Sequence, residues 1–124
     1  LRQYDISDPS NPKLTGQVWI GGLLGKAPEV NGRSVDGAPQ MIQLSLDGKR
    51  LFVTTSLFST WDNQFYPSMK DKGGIMLIVD CDVENGGMTI REDFHVDFGN
   101  EPHGPARAHE TRYPGGDCSS DIWV

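Results

Sequence analysis

The chain is 124 residues long, 36% hydrophobic and 23% charged, with a formal net charge of −6. That length suits one small domain at most, and the balance fits a soluble globular protein and excludes a disordered one. The acidic excess argues against a nucleic-acid partner, which needs clustered Lys and Arg, and apolar runs of only about five residues exclude a transmembrane helix.

The chain opens at Leu1, without Met and without a signal peptide, inside a strand-like pattern. A fragment of a longer protein, or a processed chain, is expected. Arg2 to Ile6 reads as a short strand. The stretch Asp5 to Pro12 is a turn, since Asp, Ser and Asn bind backbone groups locally and each Pro fixes φ. Thr15 to Ile20 is the next strand. Residues 21–39 are Gly-rich and aperiodic and read as a long loop insertion, a solvent linker. Ile42, Leu44 and Leu46 alternate with Gln43 and Ser45, the pattern of a half-buried strand. Asp47-Gly48 is a hairpin signal, and Leu51 to Thr55 is the return strand.

Residues 57–72 form a second insertion, with Trp61, Phe65, Tyr66 and Pro67. They are too aromatic for a plain linker, so one helical turn or an ordered excursion packed on the sheet is expected. Ile75 to Val79 is continuously apolar, as in a strand covered on both faces. Asn85-Gly86-Gly87 turns the chain. Met88 to Ile90 and Phe94 to Phe98 follow as a strand kinked near Glu92-Asp93. No amphipathic helix longer than two turns is predicted.

A repeat underlies these elements. Tyr4-Asp5-Ile6, a turn and Val18-Trp19-Ile20 match Val79-Asp80-Cys81, a turn and Phe94-His95-Val96. With the Ser45-x-Asp47-Gly48 hairpin between them, this is the rhythm of four-stranded propeller blades. The fold class is therefore all-β: the C-terminal blades of a β-propeller, antiparallel sheets with long loops. Blades bury their faces only against other blades, and a repeat array needs about three copies. The chain is not expected to fold alone.

Four stretches carry a more specific likeness. They are Pro39 to Leu51; Trp61-Asp62 with Gln64 to Pro67; Val96 to Gly99 with Glu101-Pro102 and Gly104 to Ala106; and Ala108 to Trp123. Together they resemble the C-terminal portion of the selenium-binding protein family, whose animal and bacterial members are methanethiol oxidases. The resemblance implies a propeller about four times this length. It also implies oxidation of methanethiol by oxygen and water to formaldehyde, hydrogen sulfide and hydrogen peroxide, with copper as cofactor. The selenium site lies outside this segment. The expected partners are the small thiol substrate and the remaining blades. An expected alternative is a non-catalytic selenium-binding scaffold in intracellular protein transport. Family members occur in cytosol, nucleus and peripherally at membranes. The loop before Arg33 is shorter than in animal and plant relatives. His103 and Arg107 stand where relatives commonly differ and take no family role.

Imidazole and thiolate both suit copper. The chain offers His95, His103, His109, Cys81 and Cys118, but no tight pair, so spacing alone is a weak metal signal. His109 is the metal candidate, because it sits in the family-like Ala108-His109-Glu110 motif. Its alternative is a histidine that pins the tail through hydrogen bonds. Glu110 and Asp117 could orient ligands, serve as a general base, or bind backbone donors of the Pro114 to Gly116 turn. Cys118 is a thiol candidate beside Asp117, reactive only if a cation such as Arg112 is near, and otherwise a small buried side chain. Cys81 reads as packing, His95 as an outward or rim structural residue and His103 as solvated. Trp123 reads as an anchor in a closing strand. Free thiols fit a reducing compartment.

Overall fold

The computed structural model describes residues 1–109 and 111–112. β1 (Arg2–Asp5) and β2 (Lys13–Gln17) pair as an antiparallel hairpin. β3 (Met41–Leu44), β4 (Arg50–Thr54), β5 (Ile75–Cys81) and β6 (Met88–Asp97) form a four-stranded antiparallel meander in chain order. This is the all-β architecture expected, and the meander has the form of one propeller blade. The antiparallel β1–β2 hairpin matches the first part of the internal repeat, but Val18-Trp19-Ile20 has no strand counterpart to Phe94-His95-Val96. Two short helices, α1 (Ser59–Phe65) and α2 (Met69–Lys72), lie in the β4–β5 connection. Among the described residues no helix is long and apolar enough to cross a membrane.

The core lies on one face of the meander. Leu51, Val53, Ile75, Leu77 and Val79 pack there with Ile20 and Val30. β5 is central and buried on both faces, with Ile78 at 6% exposure on the opposite one, so its unbroken apolar run is accounted for. Burying each such aliphatic side chain stabilises by roughly 1.5–3 kcal/mol.

The turns are held by Asp side chains. Asp47 accepts from the Ser45 hydroxyl at 2.5 Å and from the Lys49 amide at 3.0 Å. Asp82 accepts from the Glu84 and Asn85 amides, both at 2.9 Å. Between Ile90 and His95, β6 advances five residues against two of β5. The predicted kink at Glu92-Asp93 is that irregularity.

Three expectations are corrected. β2 ends at Gln17, and Val18 to Ile20 leave the sheet; Ile20 turns into the core while Trp19 is 69% exposed. Residues 21–39 are not a solvent linker. They have little regular structure, but Val30 is 1% exposed, and Asp36 accepts from Ser68 and Lys72 in the second insertion. Gly37 has φ +92°, and a β-carbon on it would stand 2.4 Å from the Thr55 carbonyl oxygen. Only glycine allows this approach. Finally, the β3 alternation is inverted. Gln43 and Ser45 are buried, whereas Ile42, Leu44 and Leu46 are exposed. Ile42 and Leu44 pair with Val53 and Leu51, so they share the core face. The small β1–β2 hairpin and residues 21–39 do not reach far enough to cover them.

The connections are sorted by sheet end. The tight turns at 45–49 and 82–87 lie at one end of the meander. The long connection 55–74 and the segment after β6 leave from the other. Residues 21–39 join that second end through the Gly37–Thr55 and Asp36–Ser68 contacts.

Candidate functional site

The residues after β6 run back across that long-loop end. A 3-10 turn at Phe98–Asn100 follows the strand, capped by Asp97, which accepts from the Gly99 amide at 2.8 Å. Ala106 then pairs with Phe98 and Gly74 through backbone hydrogen bonds of 2.9 and 3.0 Å. This lays Arg107 and His109 against the start of α1.

His109 is held at three points. Its carbonyl accepts from the Thr54 hydroxyl at 2.6 Å. Its ring Nδ1 lies 3.0 Å from the Leu57 carbonyl oxygen. Its ring face stacks on Phe58, with centroids 5.9 Å apart and planes at 21°. A carbonyl can only accept, so Nδ1 carries the hydrogen. In the neutral ring the lone pair then sits on Nε2. Both sequence readings of His109 thus meet in one residue: it pins its segment, and it keeps a ring nitrogen suited to a ligand.

Beneath Leu57 is a buried polar cluster that sequence reasoning missed. Asp62 is 1% exposed although it belongs to a surface helix. Its carboxylate accepts from the Ser56 hydroxyl at 2.6 Å and the Leu57 amide at 3.2 Å. Arg107 faces it at 3.6 Å, and also donates to Asn63 at 2.6 Å. The residue just before α1, Phe58, supplies no side-chain cap. Asp62 instead reaches back to the Leu57 amide, just ahead of the helix. Burial, and then the negative charge of Asp62, push the nearby Tyr66 hydroxyl above its usual pKa. An acid inside an aromatic segment, Trp61-Asp62-x-x-Phe65-Tyr66, was the available signal.

The remaining candidates are placed as follows. His103 is exposed in a turn, as expected. Cys81 packs against the core, and burial and then Asp80 push its thiol above the usual range, which fits a packing role. His95 is not outward. It pairs with fully buried Leu77 and so shares the core face, and its buried Nδ1 has no hydrogen-bond partner among the described residues. Glu110, Asp117, Cys118 and Trp123 lie outside the described residues. Among those described, no three His, Cys, Asp or Glu side chains group as a metal site. Tested against copper, then, His109 fits as one donor, and the described residues do not complete a ligand set.

Helix α1 adds an aromatic ridge beside His109. Phe58, Trp61 and Phe65 are 62%, 54% and 43% exposed, and the Trp61 and Phe65 rings meet at 5.3 Å. A larger apolar hollow of about 700 Å³, lined by Leu1, Trp19, Ile20, Leu23, Leu24 and Pro39, lies apart from this cluster. Lys26 is the one charged side chain among its lining residues.

The model of the 56 kDa selenium-binding proteins matches residues 1–124. Selenium-binding protein 1 of Arabidopsis thaliana is 56% identical over 100% of this chain and 29% of its own length. A methanethiol oxidase of Homo sapiens is 57% identical over 100% of this chain and 30% of its own. These alignments run over 141 positions, so the relatives carry additional residues within the matched region. The crystal structure of a selenium-binding protein from Sulfolobus tokodaii superposes with a TM-score of 0.79 at 47% identity, covering 99% of this chain and 25% of that one. The chain therefore spans about three tenths of the length of the curated relatives it matches.

Proposed function

This chain belongs to the 56 kDa selenium-binding protein family, and from that premise we propose that it is the C-terminal part of a methanethiol oxidase. The observation that carries the reading is the 57% identity to a methanethiol oxidase along the entire chain. The reaction is methanethiol plus oxygen plus water giving formaldehyde, hydrogen sulfide and hydrogen peroxide. The remaining blades of the propeller, upstream of this segment, complete the fold and cover Ile42 and Leu44.

In this reading His109 gives one copper ligand through Nε2, and the other ligands come from outside the described residues. Copper, when bound, supplies the electron transfer between a thiol and oxygen. The residues here have a simpler task. Leu57 and Thr54 hold the imidazole in place, and the lone pair on Nε2 points away from the carbonyl that binds Nδ1. The Phe58 ring excludes water from one face of the imidazole. Glu110 and Asp117 are proposed to orient ligands, and Cys118 to provide a thiol. Selenium binds elsewhere in the full-length protein, and the working compartment is the cytosol, with nuclear and peripheral membrane pools.

A second reading is a non-catalytic selenium-binding scaffold in protein transport. The 56% identity to a relative named only for selenium binding favours it. Metal analysis of the full-length protein, purified with copper available, separates the two. The oxidase reading expects copper in the wild type and loss of copper in His109→Ala. A copper-free wild type sinks it. Copper and activity retained in the variant would only remove His109 from the ligand set.

A further inference from the structure

We infer that Asp62 is a positioning residue for His109, acting through Leu57. Leu57 is gripped at both of its backbone polar groups. Its amide donates to Asp62 at 3.2 Å, and its carbonyl accepts from His109 Nδ1 at 3.0 Å. Any rotation of Leu57 moves the acceptor that fixes the imidazole. Asp62 is in turn held by Ser56 at 2.6 Å and faced by Arg107 at 3.6 Å. Arg107 lies two residues before His109, so the chain of contacts closes on itself: Asp62, Leu57, His109, Arg107.

A buried carboxylate in so short a helix needs a reason, because desolvation is costly unless every lone pair finds a partner. Capping α1 alone would not require burial, since an exposed Ser or Asp at the first position does that work. Burial keeps the carboxylate fixed, and a fixed carboxylate keeps Leu57 fixed. The consequence is chemical. Free neutral histidine favours hydrogen on Nε2, whereas Leu57 demands it on Nδ1. Asp62 thereby keeps Nε2 unprotonated without touching the ring. That this nitrogen is then used by a metal rests on the proposed function; that Asp62 sets it does not.

The test uses the full-length protein, prepared without copper, with nitrogen-15 in its histidines. At a pH where the ring is neutral, NMR reads which nitrogen of His109 bears hydrogen, with His109→Ala identifying the signals. The wild type is expected to show hydrogen on Nδ1 only. Asp62→Leu, which keeps the volume and removes every acceptor, and to a lesser degree Ser56→Ala, should give a mixture of both tautomers. An unchanged tautomer in folded Asp62→Leu overturns the inference. If that variant does not fold, an unchanged tautomer in Ser56→Ala does so instead. A second arm titrates copper(I) against a competing chelator. Asp62→Leu should weaken binding about 10-fold or more, the usual effect of losing an outer partner, and should add nothing in a His109→Ala background. Copper binding that ignores His109→Ala defeats the ligand reading and leaves the tautomer result to decide this one.

Discussion

Thr54 donates its hydroxyl to the carbonyl oxygen of His109 at 2.6 Å, across 55 residues of sequence. Thr54 ends β4 and is 1% exposed, so the donor side of this hydrogen bond is buried. It ties the segment after β6 to the opposite side of β5. Replacing Thr54 by Val keeps the shape and removes the donor, leaving a carbonyl short of its partner. The expected cost in the full-length protein is about 1–3 kcal/mol, read by denaturant unfolding. Thr54→Ser should recover most of it. A loss in Thr54→Ser with none in Thr54→Val would mean that the methyl group, not the hydroxyl, matters at this position.

The second prediction concerns Ile42, which is 57% exposed although it shares the sheet face of buried Val53 and Leu77. Truncating a side chain this open costs under about 0.5 kcal/mol in an ordinary surface setting. In the full-length protein the proposed neighbouring blade covers it, and Ile42→Ala should then cost roughly 2–5 kcal/mol. Thermal unfolding of the full-length variant checks this. A negligible shift would show that no blade packs on that face. The isolated 124-residue chain, with this face bare, is expected to lack a cooperative monomeric transition.

Periodicity located the strands here better than it oriented them. The run Ile75 to Val79 and the Asp47-Gly48 hairpin were legible because each follows from local chemistry: continuous burial in one case, a left-handed glycine after a capping Asp in the other. The direction of β3 was not legible. Alternation says that two faces differ, but not which is covered, and here the apolar one is the exposed one. Residues 21–39 looked like linker because they lack a period, yet their packing comes from close backbone approach at Gly37 and from Asp36, signals that no pattern in the chain displays. His109 was legible only through its motif, and its tautomer only through the Leu57 carbonyl, 52 residues away. Asp62 was quoted within a motif but assigned nothing, since burial of a helical acid is a tertiary fact.

The third prediction follows from the two tight turns at the end of the meander remote from His109. The Ser45 hydroxyl and then the Lys49 amide hold Asp47 below its usual pKa. The amide and side chain of Asn85, followed by the Glu84 amide, do the same for Asp82. A carboxyl whose folded pKa is lowered stabilises the fold at pH values above its unfolded pKa. That contribution fades as pH falls through the lowered folded value. Both turns should therefore keep their geometry across neutral pH and loosen only below about pH 4. The amide signals of Lys49, Glu84 and Asn85, the donors to these carboxylates, report it directly. They should move together on acidification of the full-length protein. Asp82→Asn keeps an acceptor oxygen but cannot titrate, so it should abolish the acid step at Glu84 and Asn85 and spare the one at Lys49. A step at Lys49 that disappears with it would mean that the two turns report one global acid transition and not two local ones.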